Sequence, residues 1–108
     1  MAARCCRACV LFGVLVAGCT SPAQPYNQRG VAFFNAGQYE SARAEFVQAA
    51  TADAVNPDAF YNLGSTYHKI GDTAQAEANY IHCLAFDPNH SQAQHAYTVL
   101  LLELGRTN

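Results

Sequence analysis

The chain reads as an all-α protein, a short solenoid of stacked helix pairs. Two observations carry that expectation. A shift of 34 residues lays the chain on itself without insertion or deletion. It sets Tyr26 on Phe60, Gly30 on Gly64, Phe33 on Tyr67, Gly37 on Gly71, Ala42 on Ala76, Ala44 on Ala78, Phe46 on Tyr80 and Asp53 on Asp87. Aromatics fall on aromatics and small residues on small ones. Apolar residues recur at helical spacing throughout, with no alternating stretch that would mark a strand.

The spacing predicts five helices, over 24–36, 39–53, 57–70, 73–86 and 91–104, joined by short connections and so antiparallel to their neighbours. Gly30 and Gly64 fall inside the first helix of each pair, where glycine costs about 1 kcal/mol of helix propensity. That cost is tolerable where the second helix crosses too close for a side chain. Ala42 and Ala76 are the reciprocal small residues on the second helix. Phe33, Tyr67, Phe46 and Tyr80 fill the space around each crossing. Gly37 and Gly71 suit the left-handed residue that closes a helix. Asn56 before Pro57 starts the third helix. Asp72 with Gln75 three residues on suggests a capping box. Pro88 ends the fourth helix. Arg29, standing where the second pair has Leu63, should snorkel past the open N-terminal edge.

The stretch PDAFYNLGSTYHKIGDTAQAEANYIHCLAFDPNH, from Pro57 to His90, resembles one complete tetratricopeptide repeat. The resemblance implies two full repeats, 26–56 and 57–90, and a C-terminal capping helix, 91–108. Each pair leaves an apolar face bare until a neighbour stacks on it. In the last stretch Tyr97-Thr98-Val99-Leu100-Leu101-Leu102-Glu103-Leu104, apolar residues surround the helix. Tyr97, Leu101 and Leu104 should pack on the second repeat. Leu100 and Leu102 should need cover from a partner or a second copy of the chain, a homodimer through this helix.

The first eighteen residues differ from the rest. Arg4 and Arg7 precede an apolar run from Ala8 to Ala17, the pattern of a secretory signal peptide. Ten residues make about 15 Å of helix, half a bilayer core. The ending Leu15-Val16-Ala17-Gly18-Cys19 resembles the lipobox of bacterial lipoproteins. That resemblance implies cleavage after residue 18, lipid on Cys19, and a lipidated N-terminus and linker over 19–25. It places the protein in a bacterial envelope. Thr20, where an aspartate would retain the protein at the inner membrane, points to the outer membrane in an organism that has one. Cys5, Cys6 and Cys9 would leave with the signal, and Cys83 alone would remain as a thiol. The mature chain keeps four basic and eight acidic residues, four minus eight, or −4. Such a chain has no clustered cations for nucleic acid.

The first helix of each unit lines the groove of such repeats. The exposed groove face should hold Asn27, Val31, Phe34 and Asn35, then Asp58, Tyr61, Asn62, Ser65, His68 and Lys69, then Gln92, His95, Val99 and Leu102. Apolar groups alternate there with amides, which suits a protein or peptide partner held by apolar anchors and amide hydrogen bonds. In the family's two-carboxylate clamp only Asn62 matches. Asn27, Val31, Gln92 and Ala96 stand at the other points, so a C-terminal carboxylate is not the expected ligand. His68, His82, His90 and His95 lack carboxylate or cysteine companions at ligand spacing. No metal, cofactor or catalytic residue is expected. The layout is similar to that of lipidated repeat proteins that help assemble envelope machines. An adaptor or scaffold is the leading expectation. An accessory subunit of an envelope enzyme and a self-associating structural lipoprotein are the alternatives.

Overall fold

The computed structural model describes residues 21–106. The expected signal segment, Cys19 and its lipid lie outside the described residues. Among the described residues there are five helices and no strand: α1 (Gln24–Asn35), α2 (Tyr39–Ala52), α3 (Pro57–Ile70), α4 (Thr73–Phe86) and α5 (Ser91–Glu103). No helix among them is long and apolar enough to cross a membrane.

Local chemistry accounts for the helix ends. Asn56 Oδ1 accepts the Ala59 N–H at 2.9 Å, with Pro57 in the first turn of α3. Asp72 Oδ1 accepts the Gln75 N–H at 3.1 Å. Only this half of the expected box forms. The Asp72 N–H donates instead to the Tyr67 carbonyl at 2.9 Å, closing α3 around Gly71 at φ 100°. The same closure recurs at Gly37 and Gly105. His90 caps α5, its Nδ1 accepting the Ala93 N–H at 3.2 Å. It occupies the place that Asn56 holds 34 residues earlier.

The helices stack as two layers. α1 touches α3 and α3 touches α5, whereas α2 and α4 share no contact. The layer of first helices is therefore the tighter one, and the stack curves around it. Three clusters form the core. Ala23, Ala49 and Ala59 pack at the start of the stack. Ala42, Phe46 and Leu63 join the first pair to the second. Ala76, Tyr80 and Leu100 join the second pair to α5. Phe46 and Tyr80 are almost fully buried. Each contributes about 2 kcal/mol by leaving water.

The structure corrects four details. The notch at each helical glycine is filled by an aromatic ring: a Cβ on Gly64 would stand 2.6 Å from the Tyr80 ring, and one on Gly30 would strike Phe46. Ala42 and Ala76 are buried beside those rings. Arg29 does not pass the open edge. Its Nε donates to Glu45 at 3.0 Å, and its guanidinium lies 4.9 Å from the centre of the Tyr26 ring. The described part of the segment expected as linker docks on the fold: Ser21 Oγ donates to Asp53 at 2.7 Å, and Ala23 is fully buried. Leu100 needs no outside cover. It is fully buried against Ala76 and Tyr80, because α5 turns that face to α4. Leu102 is 58% exposed.

Candidate functional site

The concave layer holds a trough. Three adjoining cavities form it, of about 460, 310 and 510 Å³. The first is lined by Gln24, Asn27, Gln28, Val31, Asp58, Tyr61, Asn62 and Gln92. The second shares Val31, Tyr61, Asn62 and Gln92 with it and adds Phe34, Asn35, Phe46 and Ser65. The third shares Phe34 and Ser65 with the second and adds His68, Lys69, Tyr80 and Glu103. Shared lining residues place the three side by side along α1 and α3.

Helical spacing puts these residues on one side. Asn27, Val31 and Phe34 follow one another at four and three residues along α1, as do Tyr61, Ser65 and His68 along α3. Their amides are tied together. Asn62 Nδ2 donates to Asn27 Oδ1 at 3.2 Å, and Asn27 Nδ2 to the cap oxygen of Asn56 at 3.5 Å. The Tyr61 ring lies 6.2 Å from that of Tyr80 and 5.2 Å from that of His90. Two imidazole–carboxylate bonds brace the far wall: His68 Nε2 donates to Glu103 at 2.7 Å, and His90 Nε2 to Asp58 at 2.9 Å. Tyr80 donates to Ser65 Oγ at 3.5 Å, and burial raises its phenol above the ordinary value. Arg29, Arg43 and Arg106 each pair with a glutamate. Lys69 makes no ion pair among the described residues and is the only Lys or Arg lining the three cavities.

Of the expected groove residues, Asn27, Val31, Phe34, Asn35, Asp58, Tyr61, Asn62, Ser65, His68, Lys69 and Gln92 line the trough. His95, Val99 and Leu102 line none of these three cavities. His95 and Leu102 are exposed, and Val99 is half-buried. Sequence reasoning missed Gln24, Gln28 and Glu103. A signal for them existed: Gln28 and Gln24 continue the Val31 face back by one and two turns, and Glu103 lies one turn beyond Val99. It also missed that Phe46 and Tyr80 of the outer layer reach through to the trough. Nothing local marks that, since it depends on the glycine notches opposite them.

The trough offers apolar rings, neutral amides, one ammonium and the imidazole-bonded carboxylates of Asp58 and Glu103, and its rings and amides can hold an extended chain by its backbone and apolar side chains. Among the described residues no group of three or more His, Cys, Asp or Glu could hold a metal. Cys83 is fully buried, and burial with the nearby carboxylates of Asp58 and Asp87 pushes its thiol up to about 11. That keeps it protonated and unreactive at neutral pH.

The comparisons with known proteins agree with this architecture. A family model described as TPR repeat matches residues 30–71, and one described as tetratricopeptide repeat matches residues 57–90. Among solved structures, the chain is similar to the second TPR of Spaghetti (RPAP3), bound to the HSP90 peptide SRMEEVD. The TM-score is 0.74 and the identity 27%, over 78% of each chain. No curated protein matches the chain.

Proposed function

The chain belongs to the tetratricopeptide repeat family, and from that premise we propose that it is a membrane-anchored adaptor whose trough holds an extended segment of a partner protein. A role in protein–protein interaction follows from the repeats and from the peptide-bound neighbour. The lipid anchor on Cys19 and a place in assembling an envelope complex go further. They draw support from the charged start, the apolar run and the Leu15–Cys19 ending.

The single observation that carries the binding role is the row of adjoining cavities along α1 and α3. Val31, Phe34 and Tyr61 supply apolar contacts, and Asn27, Asn62 and Ser65 alternate with them. The trough's chemistry favours a ligand class different from the acidic peptide SRMEEVD bound by the neighbour. With Lys69 as the only trough lysine or arginine, a partner segment of low charge fits better than one rich in carboxylates.

Photo-crosslinking of the lipidated protein in its own membrane, with partners identified by mass, tests the proposal. Val31 is 41% exposed, so Val31→Glu should leave the fold intact and abolish the crosslinks. Crosslinks unchanged by Val31→Glu would move the interface away from the trough. Palmitate labelling that survives Cys19→Ala would remove the anchor.

A further inference from the structure

We propose that one end of the solenoid rests on the phospholipid surface, with Val55 and Phe86 seated in the interface. This end is built from the start of α1, the α2–α3 loop and the α4–α5 loop. The inference rests on reading Cys19 as the lipid-bearing residue.

The point where the chain enters the fold carries it. Ser21 Oγ donates to Asp53 at 2.7 Å and accepts from Asn56 Nδ2 at 3.2 Å. Ser21 is thus locked to the α2–α3 loop only two residues after Cys19. Two residues span at most about 7 Å. Lipid on Cys19 would hold that loop within about one headgroup layer of the hydrocarbon.

The same end presents suitable side chains. Val55 is 54% exposed, between the Asp53 and Asn56 that bind Ser21. Phe86, 46% exposed, ends α4, with its ring 5.6 Å from that of Phe60 in the first turn of α3. Antiparallel alternation brings these helix ends together. No Lys or Arg falls within residues 21–25, 51–60 or 84–92. The three carboxylates there are engaged by the chain itself: Asp53 by Ser21 and the Val55 N–H, Asp58 by His90, and Asp87 by the Asn89 N–H. The charged residues Arg43, Lys69, Asp72 and Arg106 gather at the opposite end. Apolar side chains without cations suit a zwitterionic lipid surface rather than an anionic one. Leu102, also exposed, stands at the far end of α5, about 20 Å of helix away and out of reach.

The chain contains no tryptophan, so a single introduced one reports its own surroundings. Full-length Phe86→Trp and, as control, Leu102→Trp would be produced in a lipidating bacterial host. Each would then be reconstituted into phosphatidylcholine vesicles with plain or brominated acyl chains. Palmitate labelling and vesicle flotation, both lost on Cys19→Ala, establish the anchor separately. We expect brominated lipid to quench Phe86→Trp emission by at least about half and Leu102→Trp by no more than about a tenth. Labelled, floating protein in which both tryptophans quench alike, or Leu102→Trp more, would overturn the seating and leave the anchor standing. Absence of both label and flotation would overturn the anchor and the seating together.

Discussion

At the scale of single residues, space and burial decide the outcome. Gly64 faces the Tyr80 ring with no room for a Cβ. Gly64→Ala gains up to about 1 kcal/mol of helix propensity but meets an overpacking cost of about 1–3 kcal/mol. Because the Tyr80 ring is 1% exposed and cannot swing away, the cost should win. Thermal unfolding should show a midpoint lower by several degrees, with roughly 4–8 °C for each kcal/mol. A midpoint that rises would mean that the ring yields. Cys83 gives a pH prediction. Its thiol ionises near 9 when unperturbed and near 11 in the fold, so the folded state holds the proton more tightly. The associated stability is complete below about pH 9 and is lost as pH rises toward about 11. A thiol-specific disulfide reagent at pH 8 should react with Cys83 only as fast as the protein opens. Immediate stoichiometric reaction would contradict the burial.

At the scale of elements, α5 depends on bonds that hold it to the second repeat. His90→Ala removes its N-cap and should cost about 1 kcal/mol. His90→Asn, which restores the residue type used at Asn56, should recover most of that in the same denaturant titration. Equal loss in both would assign the stabilisation to the Asp58 pair instead of the cap. At the other end of α5, the hydrogen bond from Arg106 lowers the Glu77 carboxyl below 4.5; burial partly opposes, and the Arg106 charge and the Tyr97 hydroxyl assist. A lowered carboxyl stabilises above its unfolded value and ceases to do so as pH falls through the folded one. Amide exchange in α5 should therefore accelerate, relative to α3, as pH drops below about 4.5, once the intrinsic pH dependence is removed. Glu77→Gln should abolish that difference. These element ends were largely legible in the chain. Asn56, Asp72, Gly37 and Gly71 act on atoms within five residues. His90 was overlooked because a histidine cap is uncommon and its role shows only through its 34-residue register with Asn56.

At the scale of the whole molecule, the question is what remains bare once the stack has closed. With Leu100 inside the core, the apolar surface of α5 is smaller than its composition suggests. The folded domain should sediment as a monomer, and Leu102→Glu should leave that unchanged. A dimer dissolved by Leu102→Glu would reinstate self-association through α5. The chain alone determined the helices, their ends, the 34-residue register and most of the trough face, since propensity, capping and helical spacing act over a few residues. Only the tertiary structure decided which α5 leucine is buried, that Phe46 and Tyr80 fill the glycine notches, and that His68 and Arg106 bond to Glu103 and Glu77. Those outcomes turn on the rotation of each helix about its axis, where one residue amounts to about 100°. That rotation is set by how neighbouring helices cross, a property no single segment carries.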